Sequence, residues 1–251
     1  MSTFFKAMII AFSMYSTIPM PQFTWQEKEM KYVFCFFPWV GAVIGALLVG
    51  WNRICEKAGI GQLAWVLVGT AIPLLVTGGF HVDGFMDTMD AFHSYQERER
   101  KLEILKDSHI GAFSVICLLL YYLLYLAGYS EIGQDSIYLL ASIFFLSRIL
   151  SGAAAVSMKG AKREGLLYLF SSRAQERTVK ASLLVQFVLV AGFMLYQSVI
   201  KGGILLVGAL FVFLYYRHRC YKELGGVTGD TAGYFLTLCE GVLVVLLGIV
   251  G

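Results

Sequence analysis

The residues of this chain best placed to do chemistry are three carboxylates in the run Gly78-Gly79-Phe80-His81-Val82-Asp83-Gly84-Phe85-Met86-Asp87-Thr88-Met89-Asp90. Asp83, Asp87 and Asp90 recur at i, i+4 and i+7, so a helix over this run carries all three on one face. They follow directly on an apolar stretch, Leu63 to Val76, that reads as a membrane span. Like charges this close repel, and near a low-dielectric boundary they cost several kcal/mol unless something compensates. A divalent cation compensates most directly, and hard carboxylate oxygens favour Mg²⁺ or Mn²⁺ over Zn²⁺. The spacing points to a metal site at a membrane surface. A solvated acidic helix start, where carboxylates suit the dipole, is the plainer alternative.

A second segment repeats the arrangement of Gly-Gly, three residues, then Asp: Gly225-Gly226-Val227-Thr228-Gly229-Asp230. Glycines let backbone N–H groups approach an anion, and an adjoining helix start adds a favourable dipole. With Gly78 and Gly79 they form a candidate two-part cradle for phosphate and metal, although glycines that merely pack helices together would look the same. Asp107 and Gly111 stand where the chain re-enters the membrane. Arg148 and Glu240 are the charges set deepest in apolar stretches, each roughly 12–14 Å from its helix end at ~1.5 Å per residue. Matching depth suggests that they pair, with either also able to face a ligand. The loop Lys159 to Lys180, with Lys162-Arg163-Glu164-Gly165, could serve a polyanion, though topology alone explains cations there. The four His lack zinc spacing, the five Cys show no Cys-x-x-Cys, and no P-loop, GxGxxG or Ser/His/Asp set is present.

The elements that must hold these groups are membrane helices. The chain has 251 residues, 58% of them hydrophobic, and a formal charge of only +3, too small to argue for nucleic acid. Seven spans are expected in one all-α, polytopic domain over 1–251: Tyr32–Trp51, Leu63–Thr77, Ala112–Ala127, Ser136–Ser157, Ala181–Gln197, Gly203–Tyr216 and Ala232–Val250. The shortest fall below the roughly 20 residues that cross a bilayer comfortably. The Phe4–Ile18 stretch, ending at Pro19-Met20-Pro21, reads as an interfacial or re-entrant helix. Lys and Arg crowd the segments 98–106, 158–180 and 217–222, so the positive-inside rule places these and the N-terminus in the cytoplasm. Every segment with chemical potential then lies on one side of the bilayer, in a multi-pass protein of the inner cell membrane.

Several segments together resemble one family. Met14 to Pro21, Gly78 to Asp90, Glu103 to Gly111, Ser147-Arg148, Arg163-Glu164-Gly165 and Gly225 to Asp230 look, in order and spacing, like adenosylcobinamide-GDP ribazoletransferase, the cobalamin synthase family. Two positions depart from its usual pattern: Ala91 stands where Gly is usual, and His109 where Arg is common. The resemblance implies that α-ribazole, or its 5′-phosphate, attacks adenosylcobinamide-GDP with release of GMP, and that Mg²⁺ is the metal. It makes Asp83, Asp87 and Asp90 the expected Mg²⁺ ligands on the diphosphate. Asp230 and Asp107 would complete the shell, or one of them would accept the proton of the attacking hydroxyl. Lys106, Arg148 and Arg163 become candidate phosphate contacts, with Gly78, Gly79, Gly225, Gly226, Thr228 and Glu240 around the substrate. Two other classes compete. A CDP-alcohol phosphotransferase also clusters Asp, but its Asp-Gly-x-x-Ala-Arg pattern is absent, since Phe85-Met86-Asp87-Thr88 follows Asp83-Gly84. A cation-coupled transporter would use Asp83, Asp87, Arg148 and Glu240 as an ion path.

Overall fold

A computed structural model describes residues 2–162 and 164–251, and among them the chain is all α, with a single isolated bridge between Gly160 and Val227. Six helices are long and apolar enough to cross a membrane: α3 (Val33–Ala58), α7 (Ala112–Ser130), α8 (Ile137–Ser157), α10 (Glu176–Gln197), α11 (Val199–Leu224) and α12 (Gly229–Ile249). The seventh expected span is α4 (Gln62–Thr77), which passes the same test only together with α5 (Phe80–His93), the two being bent by 91°. The hinge is Gly78-Gly79, at φ +67° and +78°, a conformation that L side chains rarely adopt. α5, the helix with the three carboxylates, is thereby turned across the mouth of the bundle instead of continuing through it.

The largest boundary changes are at two helix C-termini. α11 runs to Leu224 and not to Tyr216, because Arg217 to Lys222 continue the helix past its apolar part. α3 likewise carries Arg53 and Lys57 on its last turns, so most of the expected 52–62 loop is helical. At 16 residues, α4 spans about 24 Å at ~1.5 Å per residue, short of a ~30 Å hydrocarbon core. Its exposed end is completed from elsewhere in the chain. Thr17 donates its hydroxyl to the Leu75 carbonyl at 2.8 Å and its N–H to the Val76 carbonyl at 2.8 Å, satisfying acceptors that a helix end leaves free.

The N-terminal α1 (Thr3–Tyr15) is 13 residues, too short to span, and lies along α3 with the Tyr15 and Phe37 rings 4.3 Å apart. α2 (Glu27–Met30), α6 (Arg98–Ile104) and α9 (Leu166–Arg173) are short helices at the end that carries the basic segments. α3 and α8 form the most extensive pair, and α12 packs against α5, α7, α8 and α11. α12 is accordingly the helix around which the bundle closes, with Phe235, Cys239, Leu243 and Val244 fully buried. Its first turn opens onto the mouth that α5 crosses.

Candidate functional site

Close packing of α5 on the start of α12 builds the site. A Cβ on Gly84 would lie 2.7 Å from the Asp230 carbonyl oxygen, so only glycine lets the two backbones approach this closely. Asp83 and Asp230, the residues at this crossing, both line one cavity of about 680 Å³. Thr228 caps α12: its side chain accepts from the Thr231 N–H, and the Thr231 hydroxyl accepts from the Thr228 N–H at 2.8 Å. The cap fixes the direction in which the remaining first-turn N–H groups and the positive helix end face the cavity.

A second strand of chain is stitched onto this start. The Ala161 N–H donates to the Val227 carbonyl at 2.8 Å, and the Val227 N–H donates to the Lys159 carbonyl at 2.9 Å. Gly226 makes that possible, since a Cβ there would sit 2.4 Å from the Lys159 carbonyl oxygen. The stitching carries Lys162 to the cavity wall near Asp230. Burial pushes its ammonium below the ordinary lysine range, against the opposing pull of Asp230. Lys106 and Glu164, paired with each other, also line the cavity. From the sequence, Lys162 is only one cation of a basic loop, and nothing there distinguishes it from lysines placed by topology.

The acidic side is short of partners. Among the described residues, Asp83, Asp87, Asp90 and Asp230 form no ion pair. The Asp87 carboxyl is pushed up to about 6, first by burial and then by Asp83, Asp230 and Asp90. Mutually repelling, hard oxygen donors of this kind fit a divalent cation such as Mg²⁺. Among the described residues, however, no three His, Cys, Asp or Glu side chains already converge as a metal shell.

The other candidate residues fall in different places. Asp90 shares the α5 face, yet its two oxygens accept the N–H groups of Gly111 and Ser114, each at 2.8 Å, and so cap α7. Asp107 is about half exposed, does not line the cavity, and pairs with its neighbour His109 at 2.6 Å. Arg148 and Glu240 do pair, at 2.6 Å and buried, as their matching depths suggest. They line a separate narrow cavity and not the large one. Of the glycines, Gly78 and Gly79 are the α4–α5 hinge, Gly225 (φ +70°) ends α11, and Gly226 admits the 159–161 segment; the pairs shape the chain and do not line the cavity. Thr228 does line it. Arg163 lies outside the described residues.

Comparison with known proteins agrees over the whole chain. The sequence profile of the CobS family, described as Cobalamin-5-phosphate synthase, matches residues 7–249. A protein of Lachnoclostridium phytofermentans named adenosylcobinamide-GDP ribazoletransferase is 44% identical over 92% of this chain and 88% of its own length. Proteins of the same name from Clostridium perfringens and Listeria monocytogenes are each 33% identical, covering 100% and 98% of this chain and all of their own lengths. No solved structure matches.

Proposed function

This chain belongs to the CobS family of cobalamin-5-phosphate synthases, and we propose that it joins α-ribazole, or its 5′-phosphate, to adenosylcobinamide-GDP in a Mg²⁺-dependent reaction that releases GMP. The ribose hydroxyl of the ribazole attacks the phosphorus on the cobinamide side of the diphosphate. The P–O bond to GMP breaks, the hydroxyl passes its proton to a carboxylate of the site or to water, and GMP leaves with the bridging oxygen. One observation carries the reading: two carboxylates without ion-pair partners, Asp83 and Asp230, share a single cavity with Lys162 and Lys106, and Asp87 lies close enough to both for their charges to raise its carboxyl. Family membership also sets aside the CDP-alcohol and transporter readings.

In this reading Asp83, Asp87 and Asp230 hold the Mg²⁺. Bound there, Mg²⁺ would neutralise charge on the diphosphate and on departing GMP. Lys162 and Lys106 contact the phosphates from the cavity wall, and the first-turn N–H groups of α12 add a fixed dipole aimed at developing negative charge. Asp90 acts one step back, by holding the start of α7 against α5. A cavity of about 680 Å³ lies within the ~300–1,000 Å³ of ordinary small-molecule sites. It has room for the diphosphate and a nucleoside, so the bulk of the corrinoid stays at the rim. The mouth faces the cytoplasm of the inner membrane, in keeping with the basic segments gathered there.

The test is GMP release by purified, detergent-solubilised protein given adenosylcobinamide-GDP and α-ribazole, with Mg²⁺ or with EDTA, beside Asp83→Asn. Mg²⁺-dependent release with corrinoid product, lost in the variant, is expected. Activity retained in EDTA or in Asp83→Asn overturns the metal assignment, and no release by folded wild type overturns the reaction.

A further inference from the structure

Below the site, a second and much smaller cavity of about 30 Å³ lies among α4, α5, α7, α8 and α12. Its walls are unusually polar for a membrane core: Thr70, His81, Tyr125, Arg148 and Glu240 all face it. Five polar atoms on four of these residues are buried without a hydrogen-bond partner: Thr70 Oγ1, His81 Nδ1 and Nε2, Tyr125 Oη and Arg148 Nε. The Arg148–Glu240 pair leaves them unserved. One guanidinium nitrogen goes to Glu240 Oε1 at 2.6 Å and to the Phe144 carbonyl at 2.9 Å, and Ser147 donates to the same carboxylate oxygen at 2.9 Å.

Unpartnered buried groups of this kind are rare, whereas cavities that stay dry are apolar. A space of ~10–15 Å³ is enough for one water, so this one admits one or two. The atoms also demand an occupant that both donates and accepts. Arg148 Nε can only donate, and an imidazole must accept at one nitrogen when neutral. A cation is opposed by Arg148, and an anion would meet Glu240. Water alone serves every group.

We propose that this cavity is an internal hydration site, and that its water links the Arg148–Glu240 pair to His81 and so holds the start of α5. His81 opens the helix two residues before Asp83, and its own carbonyl accepts the Thr237 hydroxyl at 3.2 Å from α12. Arg148, Glu240 and His81 are thereby positioning residues: they touch no substrate and act through the α5 backbone that presents Asp83 and Asp87. The hydration site stands on geometry alone, while the positioning role rests on the metal assignment proposed above.

Radiolytic hydroxyl-radical footprinting of the detergent-solubilised protein, read by mass spectrometry, tests the water, because radicals born from bound water label even buried neighbours. Labelling of Tyr125, only 3% exposed, is expected at several times the level of Tyr216, 1% exposed and outside the cavity; equal labelling overturns the proposal. Thermal unfolding of Tyr125→Phe and Thr70→Val supplies an independent sign. In a dry cavity each hydroxyl is an unmade bond and its removal stabilises; in a wet one removal loses a bond. A fall in Tm of about 2–4 °C per variant is expected, and a rise overturns the proposal. For positioning, Mn²⁺ binding followed by EPR without substrates should weaken several-fold in Tyr125→Phe. Unchanged Mn²⁺ affinity in the variant overturns the coupling, whereas no Mn²⁺ binding by wild type faults the metal assignment instead.

Discussion

Replacing Asp90 by alanine separates two jobs that its sequence position alone cannot tell apart. In the i, i+4, i+7 pattern it is a metal ligand; in the fold its oxygens accept two N–H groups at the start of α7, each at 2.8 Å. A hydrogen bond to a charged acceptor contributes about 1.5–3 kcal/mol, and the site is only partly buried, so water replaces some of the loss. Loss of an ordinary helix cap costs about 0.5–2 kcal/mol. Two bonds from one carboxylate, not fully additive, then give a cost of about 2–4 kcal/mol. At ~2–4 °C per kcal/mol for a chain of this size, Tm should fall by roughly 5–15 °C. The free cysteines provide the assay: Cys35, Cys55, Cys220 and Cys239 are buried and should react with a thiol-specific fluorophore on unfolding, above a constant background from the partly exposed Cys117. Mn²⁺ affinity, measured below the new Tm, should change less than about threefold, against a loss of more than tenfold in Asp83→Ala. An Asp90→Ala protein with unaltered Tm and no Mn²⁺ binding would refute the argument, and Asp90 would return to the metal shell.

Three further perturbations follow from the same geometry. Asp87 titrates near 6 when no metal is bound, above the ~3.9 of a free aspartate. The folded state therefore holds the extra proton, and metal-free stability should fall as pH rises from about 4 to about 6. Mn²⁺ binding should strengthen over the same interval, and affinity independent of pH between about 5 and 7 would remove Asp87 from the set. Gly226→Ala forces a Cβ into the Lys159 carbonyl, so Lys162 should be displaced and GMP release should fall at least about tenfold for a stability cost of ~1–3 kcal/mol. Normal turnover in that variant would show that Lys162 does not need this register. Arg148→Met strands the buried Glu240 and should cost about 3–5 kcal/mol, most of it recovered in Arg148→Met/Glu240→Met; thermal unfolding of the single and double variants measures both.

Much of this was readable from residue types and much was not, for physical reasons. The spans were legible because a bilayer demands long apolar runs. The Arg148–Glu240 pair was legible because two deep charges at equal height have few other partners. The bend at Gly78-Gly79 was not, since a glycine pair between apolar helices serves packing, anion binding or a hinge equally well. Lys162 was hidden for a different reason: its role comes from main-chain bonds between 159–161 and 227, which join segments more than sixty residues apart and leave no trace in spacing. The helix ends at Leu224 and Ala58 were missed because charged residues continue a helix readily once it has left the apolar layer.

The carboxylates themselves explain where function can reside in such a bundle. Glu240 lies deep and is held by Arg148 and Ser147. Asp90 lies at the rim and is used up by the N–H groups of α7. Asp107 lies in the open beside His109 and in water that solvates it freely. Each has a compensating partner supplied by the fold or by solvent, and none has cause to recruit another. Asp83, Asp87 and Asp230 differ in sharing a mouth where water is partly excluded and no cation of the described residues pairs with them. On the proposed metal assignment, the stability given up by leaving them unpaired is recovered when the cation binds, which makes affinity for it part of the folding free energy. Pairing Asp230 with an engineered arginine should therefore raise Tm and abolish Mn²⁺ binding together. A variant that gained stability and kept its metal would show that these carboxylates are not held in reserve for it.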